Sequence, residues 1–107
     1  MAQNRSEQVI LDHIKKYVKT LEENNIPINR LYMFGSHAKG TGRADSDIDV
    51  AVFLDQDEID DFDVDVRLMQ LTRNVSFSIE PHSFSRKDLE NPDPFVEEIV
   101  SSGKRIL

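Results

Sequence analysis

Asp47 and Asp49 stand two apart at the head of an apolar segment, Asp47-Ile48-Asp49-Val50-Ala51-Val52-Phe53-Leu54, and no other spacing in the chain is better suited to chemistry. On a β-strand alternate residues share a face, so both carboxylates point the same way, with Cα atoms roughly 7 Å apart at about 3.4 Å rise per residue. Two carboxylates so placed can converge on one or two divalent cations. Like charges on one strand face oppose folding unless something neutralises them, and local violations of this kind tend to mark functional sites. A solvent-facing edge strand with an acidic rim is the plain alternative. Upstream, Gly35-Ser36 follows an apolar run that stops at Phe34. Glycine lets a ligand approach the backbone. Ser36 suits the N-cap of a short helix, whose free N–H groups and positive dipole end favour a phosphate. Gly40 and Gly42 keep that helix short.

The elements that must position these residues follow from periodicity. In residues 6–24, Val9, Ile10, Ile14, Tyr17, Val18 and Leu21 recur at helical spacing, and Asn25 and Pro27 end the helix. Tyr17 reads as core, and His13 as a boundary histidine, because no second His or Cys sits at ligand spacing. Residues 28–34 and 48–54 form the first two strands, with Ile48, Val50, Val52 and Leu54 on the face opposite the aspartates. Half of the acidic residues fall in 45–65. Those at 57–61 suit a helix N-terminus, and Ile59, Phe62, Val66 and Met69, with Val64, Leu68 and Leu71 alongside, predict an amphipathic helix closing near Arg73-Asn74. Residues 75–82 alternate, with Val75, Phe77 and Ile79 on one face and Ser76, Ser78 and Glu80 on the other, as a third strand. Pro81 cannot donate to a ladder, so pairing weakens just past Glu80. On the residues alone, Glu80 is an exposed strand position, and His82 either touches the site or faces solvent, solvent being the plainer reading. Asn91-Pro92-Asp93-Pro94 turns into a last helix with Phe95, Ile99 and Val100 as its buried face and Gly103 as its stop, after which Lys104-Arg105-Ile106-Leu107 can add a short edge strand.

A length of 107 residues suits a single domain, 1–107, with one core. Hydrophobic residues at 38% and charged ones at 31% match soluble globular proteins, and no apolar run reaches membrane-spanning length. Without cysteine there is neither a disulfide framework nor a thiolate metal site. Met1-Ala2-Gln3-Asn4-Arg5 lacks an apolar signal core, so the expected location is cytoplasmic. A net charge of −7 argues against nucleic acid as a partner. A nucleotide held through a metal stays compatible, because the cation reverses the local sign.

Gly35-Ser36-His37-Ala38-Lys39-Gly40, followed at a fixed distance by Ser46-Asp47-Ile48-Asp49-Val50, resembles the signature of the DNA polymerase beta-like nucleotidyltransferase superfamily. More narrowly it is similar to the minimal nucleotidyltransferases of bacteria and archaea, the MNT-type antitoxins, and the similarity runs over nearly the whole chain. The resemblance implies an α/β (α+β) fold, a small mixed β-sheet backed by helices in the manner of the polymerase-beta-type palm. It also implies that Asp47, Asp49 and Glu80 are the catalytic residues and the ligands of two Mg²⁺ ions, with Glu80 standing where the family usually has aspartate. Gly35 and Ser36 would bind the nucleotide's phosphates, while Lys39 and Arg43 either add charge there or lie on the surface.

The reaction implied is transfer of a nucleoside monophosphate, AMP from ATP in the simplest case, to a hydroxyl with release of pyrophosphate. Minimal nucleotidyltransferases of this kind work beside an all-helical HEPN-type protein, adding AMP to one of its tyrosines as its antitoxin. ATP or another NTP and a HEPN-type partner are therefore the expected partners, and both homo- and hetero-oligomers stay open. The alternative is a non-catalytic antitoxin that occludes a helical partner and whose metal site is vestigial.

Overall fold

The computed structural model describes residues 2–40, 47–58, 61–76 and 78–107. Their order is α1 (Ala2–Glu23), β1 (Ile28–Phe34), β2 (Ile48–Leu54), α2 (Asp61–Thr72), β3 (Ile79–Phe84), α3 (Arg86–Glu90), α4 (Pro94–Ser102) and β4 (Lys104–Arg105). The strands form one mixed sheet in the order β3-β2-β1-β4, with β1 antiparallel to both neighbours and β2 parallel to β3. This is the small helix-backed mixed sheet that the sequence implies.

Both faces of the sheet are covered, which explains why β2 reads as a nearly continuous apolar run. On one face Ile48, Val50, Val52 and Leu54 pack with Leu31 and Met33 of β1, with Ile14, Tyr17 and Leu21 of α1, and with Leu68 and Leu71 of α2. On the other, Tyr32, Ala51 and Phe53 meet Val96 and Ile99 of α4, flanked by Phe34, Phe84 and Leu89. Asp49 belongs by alternation to this second face, at the end where the covering gives way to the turn after β1.

The helix stops are local. Asn25 takes a left-handed backbone (φ 61°), and Ile26 N–H donates to the Leu21 carbonyl at 3.0 Å, a glycine-like end to α1 formed by asparagine. Gly103 ends α4, its N–H donating to the Ile99 carbonyl at 2.8 Å. A Cβ there would strike the carbonyl oxygens of Ile99 and Met33, so only glycine lets α4 close onto β1. Asp93 caps α4 by accepting from Val96 N–H at 2.8 Å. Tyr17 ties α1 to α2, its hydroxyl donating to the Leu68 carbonyl at 2.8 Å.

Several expectations need correction. The buried stripe of α2 is Val64, Leu68 and Leu71, whereas Phe62, Val66 and Met69 are exposed, Phe62 by 76%. Both sets have helical spacing, and only the docking of α2 decides between them. Likewise Val9 on α1 is exposed, and α4 buries Val96 and Ile99, while Val100 is 40% exposed and Phe95 is 49% exposed with its ring against Phe34. The third strand is displaced: Val75 and Ser76 N–H both donate to the Thr72 carbonyl, at 2.9 and 2.8 Å, in a turn that follows α2, and β3 starts at Ile79. Pro81 lies inside β3 opposite Val50, which an edge strand tolerates because one side of its ladder is empty. The short α3 has no counterpart in the periodicity. After Ser36 there is a turn over residues 36–40 rather than a helix, closed by Lys39 N–H to the Gly35 carbonyl at 3.2 Å and Gly40 N–H to the His37 carbonyl at 3.3 Å. Expectations placed on Arg43, Ile59 and Phe77 fall outside the described residues. Among the described residues no helix is long and apolar enough to cross a membrane.

Candidate active site

Register assembles the site. The parallel β2–β3 ladder sets Asp49 beside Glu80 and Ala51 beside His82, and the antiparallel β1–β2 ladder sets Phe34 beside Asp49. Alternation along β3 then puts Glu80 and His82 on one face. One ligand atom from each of Asp49, Glu80 and His82 lies within 4.8 Å of the other two, a grouping that could hold a metal ion. The His82 Nε2 is 3.4 Å from Asp49 Oδ1. An edge-to-face contact with Phe34, ring centroids 5.2 Å apart, supports the imidazole from the sheet side.

The second carboxylate oxygen of Asp49 is equally constrained. Gly35 leaves β1 with φ +78°, and a Cβ on it would lie 2.5 Å from Asp49 Oδ2. The turn and the carboxylate therefore share one space, open only to a residue without a side chain. Its two oxygens face different neighbours, Oδ1 towards His82 and Oδ2 towards the Gly35–Ser36 turn. The donors fit a divalent cation: two carboxylates for charge and an imidazole.

Of the residues singled out from the sequence, Asp49, Glu80, Gly35 and Ser36 come to one end of the sheet. Asp47 immediately precedes β2 and is exposed; it is not part of the close Asp49–Glu80–His82 group. Lys39 makes a long ion pair with Glu98 (3.9 Å) in which both side chains are about 60% exposed, 60% and 63%, an arrangement of little energetic weight. The sequence leaves His82 either touching the site or facing solvent, and the structure brings it beside Asp49. Its signal is Glu80-x-His82, the same alternate spacing that draws attention to Asp47-x-Asp49, but the pairing expected to weaken at Pro81 left its place open.

A cavity of about 240 Å³ adjoins the turn, lined by Phe34, Gly35, Lys39, Phe95 and Glu98 among others. A larger open hollow of about 680 Å³, bounded by Arg30, Arg86, Leu89 and Glu90, contains none of the site residues. Arg86 there is held by Asp55 and Asp57 at 3.0 Å each, and these carboxylates raise its pKa, the Asp57 hydrogen bond most.

Comparison with known proteins places this geometry. Residues 13–107 match the family model described as polymerase beta, nucleotidyltransferase. Among solved structures, a candidate nucleotidyltransferase from Sulfolobus solfataricus superposes with a TM-score of 0.66 at 21% identity, covering 84% of this chain and 79% of that one. A chain of a toxin–antitoxin crystallised with AMP-PNP superposes with a TM-score of 0.57 at 22% identity, covering 91% of this chain and 72% of the other. No protein with a curated description matches. At such identities the superpositions speak to fold, and the family match, spanning the Gly35 turn and the β2–β3 carboxylates, makes the stronger statement: the chain belongs to the polymerase beta nucleotidyltransferase family.

Proposed function

We propose that this chain, as a single minimal nucleotidyltransferase domain, transfers AMP from ATP, or another nucleoside monophosphate from its NTP, to a hydroxyl on a second protein. The observation that carries the reading is the packing of Gly35 against Asp49 Oδ2, because it joins a phosphate-sized turn to a metal-type carboxylate at one point. In this reading Gly35 and Ser36 hold the β- and γ-phosphates through backbone N–H groups and the Ser36 hydroxyl. Asp47 and Asp49 would hold one Mg²⁺, and Asp49, Glu80 and His82 would hold a second divalent cation. When bound, such ions polarise the phosphoryl oxygens and lower the pKa of the attacking hydroxyl.

The acceptor oxygen bonds to the α-phosphorus while the bond from that phosphorus to the β-bridging oxygen breaks. Pyrophosphate leaves, and Glu80 accepts the hydroxyl proton. The open edge at β3 leaves the acceptor to come from outside the chain. A tyrosine of a HEPN-type toxin fits this requirement, with the present chain as a cytoplasmic antitoxin; the toxin–antitoxin neighbour with AMP-PNP supports both a nucleotide and a protein partner.

The test mixes the chain with the protein encoded next to it, ATP and Mg²⁺, and reads intact mass. A gain of one adenylyl group on the partner, absent with Asp49→Asn, is the expected result. If both versions neutralise the partner equally and its mass never changes, the chain is an occluding binder and the enzymatic reading is wrong.

A further inference from the structure

We infer that His82 is a third protein ligand of the Asp49–Glu80 cation site and that its nitrogen makes this site select a borderline transition cation, of the Co²⁺ or Zn²⁺ type, over Mg²⁺. The inference rests on the metal-site part of the function proposed above and not on the transfer reaction.

The separation of His82 Nε2 from Asp49 Oδ1 carries the argument. At 3.4 Å it exceeds the usual range of about 2.7–3.2 Å for a nitrogen–oxygen hydrogen bond. Two donors each about 2.1 Å from one ion, at an angle between octahedral and tetrahedral, lie roughly 3.0–3.4 Å apart. The same separation, long for the direct hydrogen bond or ion pair the two groups also make, is that of two ligands of one cation. Glu80 supplies the third donor, its ligand atom within 4.8 Å of both. The imidazole is not there merely as surface: it packs edge-on to Phe34, which itself meets Phe95 at 5.7 Å. The Phe34 contact restrains one side of an imidazole that is otherwise 36% exposed.

Ligand type then sets the preference. Mg²⁺ favours oxygen donors in near-ideal octahedra, whereas imidazole suits the later first-row divalent ions, whose affinity rises from Mn²⁺ to Co²⁺ and beyond. One nitrogen among two carboxylates keeps enough charge for any divalent ion but adds a term that only the transition ions use. Asp47 lies outside this group, so the remaining carboxylate is left for an oxygen-only Mg²⁺ position. Two positions of unlike metal preference would follow from a single β-strand register.

The test titrates the nucleotide-free chain with Mg²⁺, Mn²⁺ and Co²⁺, each as the metal alone, by calorimetry, in wild type, His82→Gln and His37→Gln. Wild type is expected to bind Co²⁺ at least about tenfold more tightly than Mg²⁺. His82→Gln should lose at least about tenfold for Co²⁺ while Mg²⁺ changes less than about twofold, and His37→Gln should keep the wild-type order. Co²⁺ added to wild type should also shift the His82 imidazole resonances in NMR and leave those of His13 unmoved, a readout that needs no variant. Equal loss of Mg²⁺ and Co²⁺ in His82→Gln would mean that His82 only orients Asp49, and unaltered Co²⁺ affinity or unshifted His82 resonances would remove it from the metal; either result overturns the inference. A chain that shows the cation order but adenylates nothing would sink the transfer reaction and leave this site standing.

Discussion

Gly35→Ala is the substitution from which the geometry demands most. Alanine must take the left-handed backbone that Gly35 adopts at φ +78°, at a cost of about 1–2 kcal/mol. Its Cβ would also lie 2.5 Å from Asp49 Oδ2, so the carboxylate must retreat by ~1 Å to restore an ordinary contact of about 3.5 Å. The obstacle is the end of a side chain rather than backbone, so the fold survives. Each kcal/mol of lost stability should lower the melting temperature by about 4–8 °C. Urea unfolding of wild type, Gly35→Ala, Asp49→Ala and the double variant closes a cycle. In the Asp49→Ala background the alanine at 35 meets no carboxylate, and only the backbone term of about 1–2 kcal/mol should remain. Cation affinity, read by calorimetry, should fall at least about tenfold in Gly35→Ala because Asp49 can no longer hold its place beside Glu80 and His82. If Gly35→Ala costs the same in both backgrounds and cation binding is unchanged, the turn and the carboxylate are not coupled and the assembly of the site is wrongly understood.

Other expectations are narrower. Ser36→Ala should weaken ATP binding by about 1.5–3 kcal/mol through the lost bond to a charged phosphate oxygen, with a smaller effect on stability; a large stability loss with unaltered ATP binding would make Ser36 purely structural. Burial pushes the Tyr17 phenol above its ordinary value, so its stabilising contribution is whole below about pH 10 and is lost as pH rises through the folded value. Tyr17→Phe should therefore remove that alkaline slope from a denaturation series, while costing about 0.5–1.5 kcal/mol at neutral pH by leaving the Leu68 carbonyl without its hydroxyl donor. Asp93→Ala should destabilise by about 1 kcal/mol, since it removes the side chain that accepts from Val96 N–H at the start of α4; thermal melts that coincide with wild type would contradict the capping role.

The sequence carried the frame of this molecule further than its edges. β1 and β2 have the bounds that alternation and the glycine after Phe34 indicate, because central strands covered on both faces leave apolar runs, Leu31 to Phe34 in β1 and Val50 to Leu54 in β2. The stop at Asn25 was legible for a local reason, a residue that tolerates a left-handed backbone. Where the outcome depends on docking, the pattern was ambiguous: Phe62-Val66-Met69 and Val64-Leu68-Leu71 are equally helical, and only contact with the sheet selects the second. The start of β3 was obscured because the alternation begins at Val75 and Ser76, whose N–H groups bond back to Thr72 in the turn that follows α2. The place of His82 stayed open between site and solvent, because its nearness to Asp49 depends on the parallel register of two strands distant in sequence. The close pairing of Gly35 with Asp49 was likewise invisible to spacing, although both residues stood out by type.

The central claim, adenylyl transfer at the Asp49 end of the sheet, is tested most directly by following label from ATP. The chain is incubated with Mg²⁺, the protein encoded beside it, and ATP carrying ³²P at either the α- or the γ-phosphorus, and the proteins are separated and counted. Label from the α-position should appear on the partner, label from the γ-position should leave with pyrophosphate, and Asp49→Asn should transfer neither. Label on the partner from the γ-position, or no label from either position while the partner is still neutralised, would contradict the account.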